Sequence, residues 1–276
     1  MSDSDQSRGG PVSGEATVEI DNLSVFYDGG ARGRIHALDR VSISAGEGDF
    51  VCLVGRSGCG KSTLLKTLGG FVPIEAGSSV TVSGTPVRGP GRDRGMVFQE
   101  YALFPWRTAL RNVTFGLEQA NVEKGEAEER AREYLSLVRL DGFEEAYPHE
   151  LSGGMKQRVA IARALVYDPQ ILLMDEPFAA VDAFTRQQLQ ALLIDVWQTV
   201  KPTIFYVTHD IMEAIYLAER IVVMSPQPGK IHQVVPVGFD RPRDPLDSKV
   251  TSLAQDVRDL VFHDLESGSR QEKTRP

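Results

Sequence analysis

Apolar positions gather in six short β-branched runs: VEIDNLSVFY at 18–27, DFVCLVG at 49–55, MVFQ at 96–99, ILLMDEP at 171–177, TIFYVTH at 203–209 and RIVVMS at 220–225. These predict strands. Several, ILLM and IFYV above all, are apolar at consecutive rather than alternating positions, as strands covered on both faces are. A largely parallel sheet flanked by helices is the expectation. From about 101 to 168 no such run occurs and the period changes. In VEKGEAEERAREYLSLVRL at 122–140, Ala127, Ala131, Tyr134, Leu135 and Val138 share one helical face, with Gly142 as the C-terminal stop. A second amphipathic helix is predicted over 185–199, with Leu189, Leu192, Leu193 and Val196 on one face and Lys201-Pro202 ending it. The plan is strands, a helical insert, then strands again. Residues 1–15 and the closing SGSRQEKTRP are rich in Ser, Gly and charge without apolar period, and read as two flexible ends.

Composition narrows the class. A chain of 276 residues, 41% hydrophobic and 25% charged, has the profile of a soluble globular protein able to bury a sizeable core. One α/β domain with a helical insertion is expected. A formal charge of −8 argues against nucleic acid as a partner, because neutralising phosphates needs a concentrated Lys/Arg surface. Cys52 and Cys59 stand seven residues apart with no further Cys or His at metal-ligand spacing. Neither a zinc site nor a disulfide framework follows, and a reducing compartment is expected. No apolar run approaches the ~18 to 20 residues that cross a bilayer, and the first 15 residues lack a signal-peptide pattern. The chain is expected to stay in the cytoplasm.

The chemistry begins at 55–62. Gly55, Arg56, Ser57, Gly58, Cys59, Gly60, Lys61 and Ser62 satisfy G-x-x-x-x-G-K-[ST], and Thr63 follows, between an apolar strand and the helical-looking STLLKTLGG. Glycines let backbone amides approach phosphate oxygens, and the next helix N-terminus favours negative charge. Lys61 adds a point charge at the β/γ-phosphates, and the Ser62 hydroxyl can ligate Mg²⁺. A phosphate loop alone leaves kinases, GTPases, helicases and transport ATPases open.

LSGGMKQR at 151–158 resembles the signature sequence of ABC ATPases. Ser152 can cap a helix over about 154–166, while Gly153 and Gly154 leave its first amides uncovered, a second phosphate-binding surface. The resemblance implies a head-to-tail dimer with a second copy or a related ATPase, each signature completing the partner's ATP site. ILLMDE at 171–176 looks like the Walker B strand, with two carboxylates emerging at a sheet's C-terminal edge. There Asp175 would hold Mg²⁺ and Glu176 would polarise the attacking water as general base. Gln99 matches the family's Q-loop glutamine, reaching Mg²⁺ and the water, and His209 the switch histidine at the γ-phosphate. Tyr27, with Phe26 as the alternative, lies where the family stacks an aromatic on adenine. PFAAVD at 177–182 departs from the common PFGALD, with Val181 for Leu but Asp182 kept for the subunit-crossing contact.

The resemblance spans residues 17–225 and implies a P-loop NTPase fold: a RecA-like parallel core sheet, an antiparallel β subdomain and an inserted α-helical subdomain. The expected organisation is a flexible tail at 1–15, an ABC ATPase domain at 16–240 with its helical subdomain at about 100–165, and a short C-terminal extension at 241–276. Within the family, MVFQEYALFPWRTALRNVTFGL, YPHELSGGMKQR and the tail RPRDP at 241–245 look most like ATPases of the nitrate, sulfonate and taurine importer group, as does VTSLAQDVRDLVFHDL after it. Only 67 residues follow His209, too few for an added OB-like regulatory domain.

The expected function is ATP hydrolysis that energises uptake of a small solute through a transmembrane permease. The chain would sit on the cytoplasmic side of the membrane, with a solute-binding protein as indirect partner. Tyr101 to Trp106 would dock the permease, although packing inside the insert fits Phe104 equally well. Two rivals are a soluble ABC ATPase of DNA repair or translation, for which a long coiled coil or second ATPase unit is missing, and a P-loop kinase, which LSGGM and Glu176 disfavour.

Overall fold

The computed structural model describes residues 16–30 and 33–262, so both segments expected to be flexible, 1–15 and SGSRQEKTRP, lie outside the described residues. The chain divides into two units, Met1–Gly89 with Tyr206–Pro276, and Pro90–Phe205.

In the first unit β1 (Ala16–Asp28) pairs antiparallel with β2 (Arg34–Gly46) and with β4 (Ser79–Val82), which pairs with the two-residue β5 (Thr85–Pro86), giving the order β2-β1-β4-β5. Strand β2 was not among the predicted runs. Arg34, His36, Asp39 and Arg40 break its apolar pattern, yet Leu38, Val41, Ile43 and Ala45 are buried. A second sheet holds β3 (Phe50–Gly55) parallel to β9 (Arg220–Ser225), with β10 (Lys230–Pro236) antiparallel on the edge. All six residues of β3 are buried, as its unbroken apolar run requires. Helices α1 (Lys61–Leu68), α6 (Ile211–Leu217) and α7 (Ser248–Phe262) complete this unit.

The second unit holds β6 (Arg94–Val97) parallel to β7 (Ile171–Asp175), and helices α2 (Ala109–Gln119), α3 (Lys124–Leu137), α4 (Gly153–Leu165) and α5 (Ala183–Val200). Helices α2, α3 and α4 pack on one another. Strand β8 (Thr203–Val207) carries the chain out of this unit, where Thr203 N donates to Gln170 O, and into the first, where Thr208 N donates to Leu53 O.

Several predicted boundaries shorten. Strands β6, β7 and β8 stop before Gln99, Glu176 and His209, which places all three on the loops that follow. The helix expected over 122–140 ends at Leu137, not at Gly142, because Arg139 turns left-handed (φ 58°) and donates its N–H to Ser136 O. Its buried face is Ala127, Ala131 and Leu135, while Tyr134 is only half-buried.

The RPRDP segment has a structural purpose that its charge alone conceals. A helix end leaves carbonyls without intrahelical partners, and buried Arg243 supplies donors to those of α6. Its Nη1 donates to Ile215 O and Ala218 O and its Nε to Phe239 O, while Arg241 Nη2 donates to Leu217 O. Burial pulls the Arg243 pKa down to about 10, which leaves it cationic at neutral pH and favourably placed at a helix C-terminus. Arg243→Ala is therefore expected to destabilise the protein by about 2–4 kcal/mol, since buried carbonyls lose charged donors; a denaturant titration checks this.

Candidate functional site

The candidate residues divide between the units. Tyr27, Gly55–Thr63 and His209 belong to the first; Gln99, Ser152–Gly154, Asp175, Glu176 and Asp182 belong to the second.

In the first unit the loop from β3 to α1 wraps the end of Lys61. The Lys61 side chain is buried, and its Nζ donates to Gly55 O at 2.8 Å and Arg56 O at 3.1 Å, 3.7 Å from Cys59 Sγ. Gly60 caps α1 with φ 92°, a conformation that strains other residues, and a Cβ there would stand 2.5 Å from Leu38 Cδ2. Arg56, Ser57 and Gly58 are exposed, Ser62 and Thr63 half-buried in the first turn of α1, and that turn carries no acidic side chain. A cradled ammonium, a helix N-terminus and a hydroxyl, with no acidic side chain in that turn, form a donor set that fits a phosphate group.

The two aromatics considered for adenine differ in freedom. Phe26 is stacked on His36 at 4.2 Å with Arg34 Cζ 4.1 Å from its ring centre, whereas Tyr27 is 38% exposed and its Oη donates to Thr63 Oγ1 at 3.3 Å. Tyr27 is the aromatic beside the phosphate loop. His209 is exposed two residues beyond β8. Its neighbours are firmly held: Thr208 Oγ1 donates to Glu213 Oε2 at 2.5 Å and accepts from Asp210 N at 3.0 Å, and Asp210 caps α6 through Met212 N and Glu213 N.

In the second unit Asp175 ends β7 and Glu176 follows with φ 45°, a left-handed conformation that costs a non-glycine residue of order 1–3 kcal/mol. Strain of this kind concentrates at functional positions. Gln99 is exposed two residues past β6, and the loop beyond it is pinned by Arg163 of α4, whose Nη1 donates to Ala102 O at 2.6 Å and Nη2 to Tyr101 O at 3.0 Å. At the other end of α4 the Ser152 Oγ accepts from Met155 N at 3.3 Å, the cap that its position predicts.

A Cβ on Gly154 would lie 2.6 Å from Thr185 Cγ2, and one on Gly153 would lie 3.0 Å from Tyr101 Oη and 3.9 Å from Val181 Cγ1. The structure thus brings the signature turn beside both the post-Gln99 loop and the start of α5. There Asp182 caps the helix, accepting from Thr185 Oγ1 at 2.6 Å and Thr185 N at 2.9 Å, bonds that hold its carboxyl below the usual range.

Sequence reading missed Arg163, Leu38 and Gly229. Arg163 lies on α4 eleven positions past its cap and carries no motif of its own. Leu38 was hidden with the rest of β2, and only the Pro-Gln-Pro-Gly turn at 226–229 hinted at Gly229.

A family model described as ABC transporter matches residues 38–179. The chain belongs to the ABC transporter family. It is an ATPase of the cassette type. The aliphatic sulfonates import ATP-binding protein SsuB of Bacillus cereus is 44% identical over 91% of this chain and 97% of its own length. The taurine import ATP-binding protein TauB of Rhizobium johnstonii is 49% identical over 78% of this chain and 81% of its own. Among solved structures, the dimeric post-hydrolysis state of the ATP-binding cassette MJ0796 bound to ADP and Pi matches with a TM-score of 0.70 at 34% identity, covering 80% of this chain and all of the other. The expected P-loop NTPase fold with mixed parallel and antiparallel sheets is the fold observed.

The geometry distinguishes the two aromatics. Tyr27→Ala is expected to weaken ATP binding about ten-fold, the scale of a lost base-stacking contact, whereas Phe26→Ala should change it less than about two-fold; titration with a fluorescent ATP analogue measures both.

Proposed function

We propose that this chain hydrolyses ATP to energise an importer of a small sulfonate- or taurine-like solute, working from the cytoplasmic face of the membrane. The observation that carries this is the cradled Lys61 in a phosphate loop of an ABC cassette, alongside close relatives whose names specify sulfonate and taurine import. Among the described residues no helix is long and apolar enough to cross a membrane. Passage of solute is assigned to separate permease subunits. The DNA-repair and translation alternative has no such support.

Each residue has a role that its chemistry suits. Gly55 to Thr63 bind the phosphates through amides and Lys61, and Tyr27 stacks on adenine. Ser62, Gln99 and Asp175 offer the oxygen donors that Mg²⁺ prefers, and would hold it together with the phosphates. That ion, when bound, neutralises charge on the β- and γ-oxygens. Glu176 accepts the proton of the attacking water, Gln99 helps orient that water, and His209 donates to the γ-phosphate. Ser152, Gly153 and Gly154 present their helix end to the nucleotide of a second cassette, a reading supported by the dimeric cassette structures. Asp182, adjacent to that turn, makes the subunit-crossing contact. A solute-binding protein delivers the solute to the permease.

Permease docking is assigned to Trp106. Phe104 packs on Phe115 at 4.5 Å, and its N–H donates to Asn112 Oδ1 while its carbonyl accepts from Asn112 Nδ2, which makes it part of the insert. Trp106 is 72% exposed at the edge of a ≈850 Å³ cavity also lined by Arg107, Arg111, Glu118, Lys124 and Tyr147. An exposed indole beside such a cavity is the anchor type that protein interfaces favour.

Glu176→Gln should keep ATP affinity near wild type, accumulate an ATP-bound dimer and slow turnover at least about 100-fold; steady-state ATPase assays and sedimentation with Mg-ATP test it, and unchanged turnover removes Glu176 from the base role. Trp106→Ala should weaken co-purification with the permease at least about ten-fold while the isolated subunit still binds ATP; retained assembly sinks the docking assignment.

A further inference from the structure

The phosphate loop does not stand free. Its back rests on two segments that carry none of the recognised motifs: Ala37 to Asp39 of β2, and the turn at 226–229 that joins β9 to β10. These two are tied together. Gly229 N donates to Ala37 O at 2.9 Å, Asp39 N donates to Gly229 O at 3.0 Å, and Leu38 and Gly229 form a parallel bridge. Lys230 Nζ lies 2.8 Å from Asp39 Oδ2 across the same junction. That hydrogen bond, with one from Arg40, holds the Asp39 carboxyl below its usual range against the opposing effect of burial.

The seat touches the loop at two points. A Cβ on Gly229 would stand 2.2 Å from Cys59 O and 3.1 Å from Ala37 O, and a Cβ on Gly60 would stand 2.5 Å from buried Leu38 Cδ2. Gly229 does not occupy a left-handed conformation, so close approach is what demands glycine there. A Cβ essentially never stands under 3.0 Å from another heavy atom, so a side chain at 229 would force one backbone to move. The bridge is secured by two backbone hydrogen bonds and an ion pair. The loop between Arg56 and Gly58 is exposed, so the loop would yield.

We propose that Gly229, with Leu38, is a positioning residue of the nucleotide site: it sets the path of the phosphate loop at Cys59–Gly60, and so the direction in which the loop amides and Lys61 face a phosphate. The inference rests on the reading of residues 55–63 as the phosphate-binding loop. Gly229 itself reaches the nucleotide only through Cys59, and its effect belongs to affinity rather than to the hydrolytic step.

The test uses the full chain and a fluorescent, non-hydrolysable ATP analogue with Mg²⁺, alongside ATPase assays and melting curves without nucleotide. Gly229→Ala should weaken analogue binding at least about ten-fold and raise KM for ATP in proportion, with kcat at saturation lowered far less. Val235→Ala, at the buried position of β10 in the same hairpin, supplies the control: it should lower the melting temperature yet leave affinity within about two-fold. Wild-type affinity in Gly229→Ala overturns the proposal. So does a loss of affinity in Val235→Ala in step with its melting temperature, which would make the effect general loosening. If Gly229→Ala does not fold, Leu38→Ala takes its place, removing the contact with Gly60 without adding an atom; wild-type affinity there is equally fatal. Lys61→Ala separates the two readings, because undiminished affinity in that variant refutes the phosphate loop itself and not merely its seat.

Discussion

Burying an ammonium away from water costs several kcal/mol unless polar atoms converge on it, and the Lys61 Nζ is buried where the carbonyls of Gly55 and Arg56 converge. Much of the first unit follows from meeting that requirement. Carbonyls only five and six positions upstream can turn toward the Lys61 side chain only if the chain reverses between β3 and α1, which the left-handed Gly58 and Gly60 allow. A loop so tight has few internal contacts of its own. Its shape is borrowed from β2 and the β9–β10 turn, which meet its back at Leu38 and Gly229. Neutral carbonyls are weaker partners for an ammonium than a phosphate is, so the charge stands close to where it would be used.

In the second unit one helix joins two motifs. Helix α4 runs 13 residues, a span of about 20 Å. Its first turn is the signature, capped by Ser152, and its last turn carries Arg163, which grips the loop following Gln99 at Tyr101 and Ala102. Rotation of such a rod cannot displace one end alone. Arg163 thus ties the Gln99 loop to the same helix whose first turn is the signature. The same loop continues to Phe104 and Trp106, fastened by Asn112 to α2. These fixed contacts join the segment proposed to seat a partner, at Trp106, to the turn proposed to face a nucleotide.

Strands whose apolar residues run consecutively were legible in the sequence because burial on both faces leaves no room for polar positions: β3, β7 and β8 each stand out for this reason. Strand β2 was not, since its exposed face carries Arg34, His36 and Arg40 and its buried residues do not alternate cleanly. The motif residues were legible by type and spacing, and their placement on loops past β6, β7 and β8 follows from the chemistry, because a side chain within a covered strand could not reach a ligand. What remained hidden were residues whose importance lies in an encounter between distant segments. Nothing near Gly229 in the chain announces Cys59, which lies 170 positions away, and Arg163 has no local pattern that points to Ala102. Arg243 belongs with these: RPRDP was visible as a motif, but its bonds to the end of α6 depend on where the hairpin delivers it.

The two sets of contacts divide the labour of the site in a way that should be separable. The seat of the phosphate loop is built from backbone hydrogen bonds, an ion pair and close-packed glycine, all of which resist gradual deformation. It can fix how tightly phosphates are held but has no second arrangement to switch to. The groups proposed for the hydrolytic step are mounted differently: Gln99 and His209 are exposed on loops, and Glu176 sits in a strained conformation just past a strand end. Loops of that kind can shift by small backbone rotations, whereas the left-handed Glu176 persists because its surroundings hold it there. A rigid loop seat and loop-borne hydrolytic groups would let ATP remain bound while hydrolysis waits on a partner, the order of events that the proposed transport role calls for.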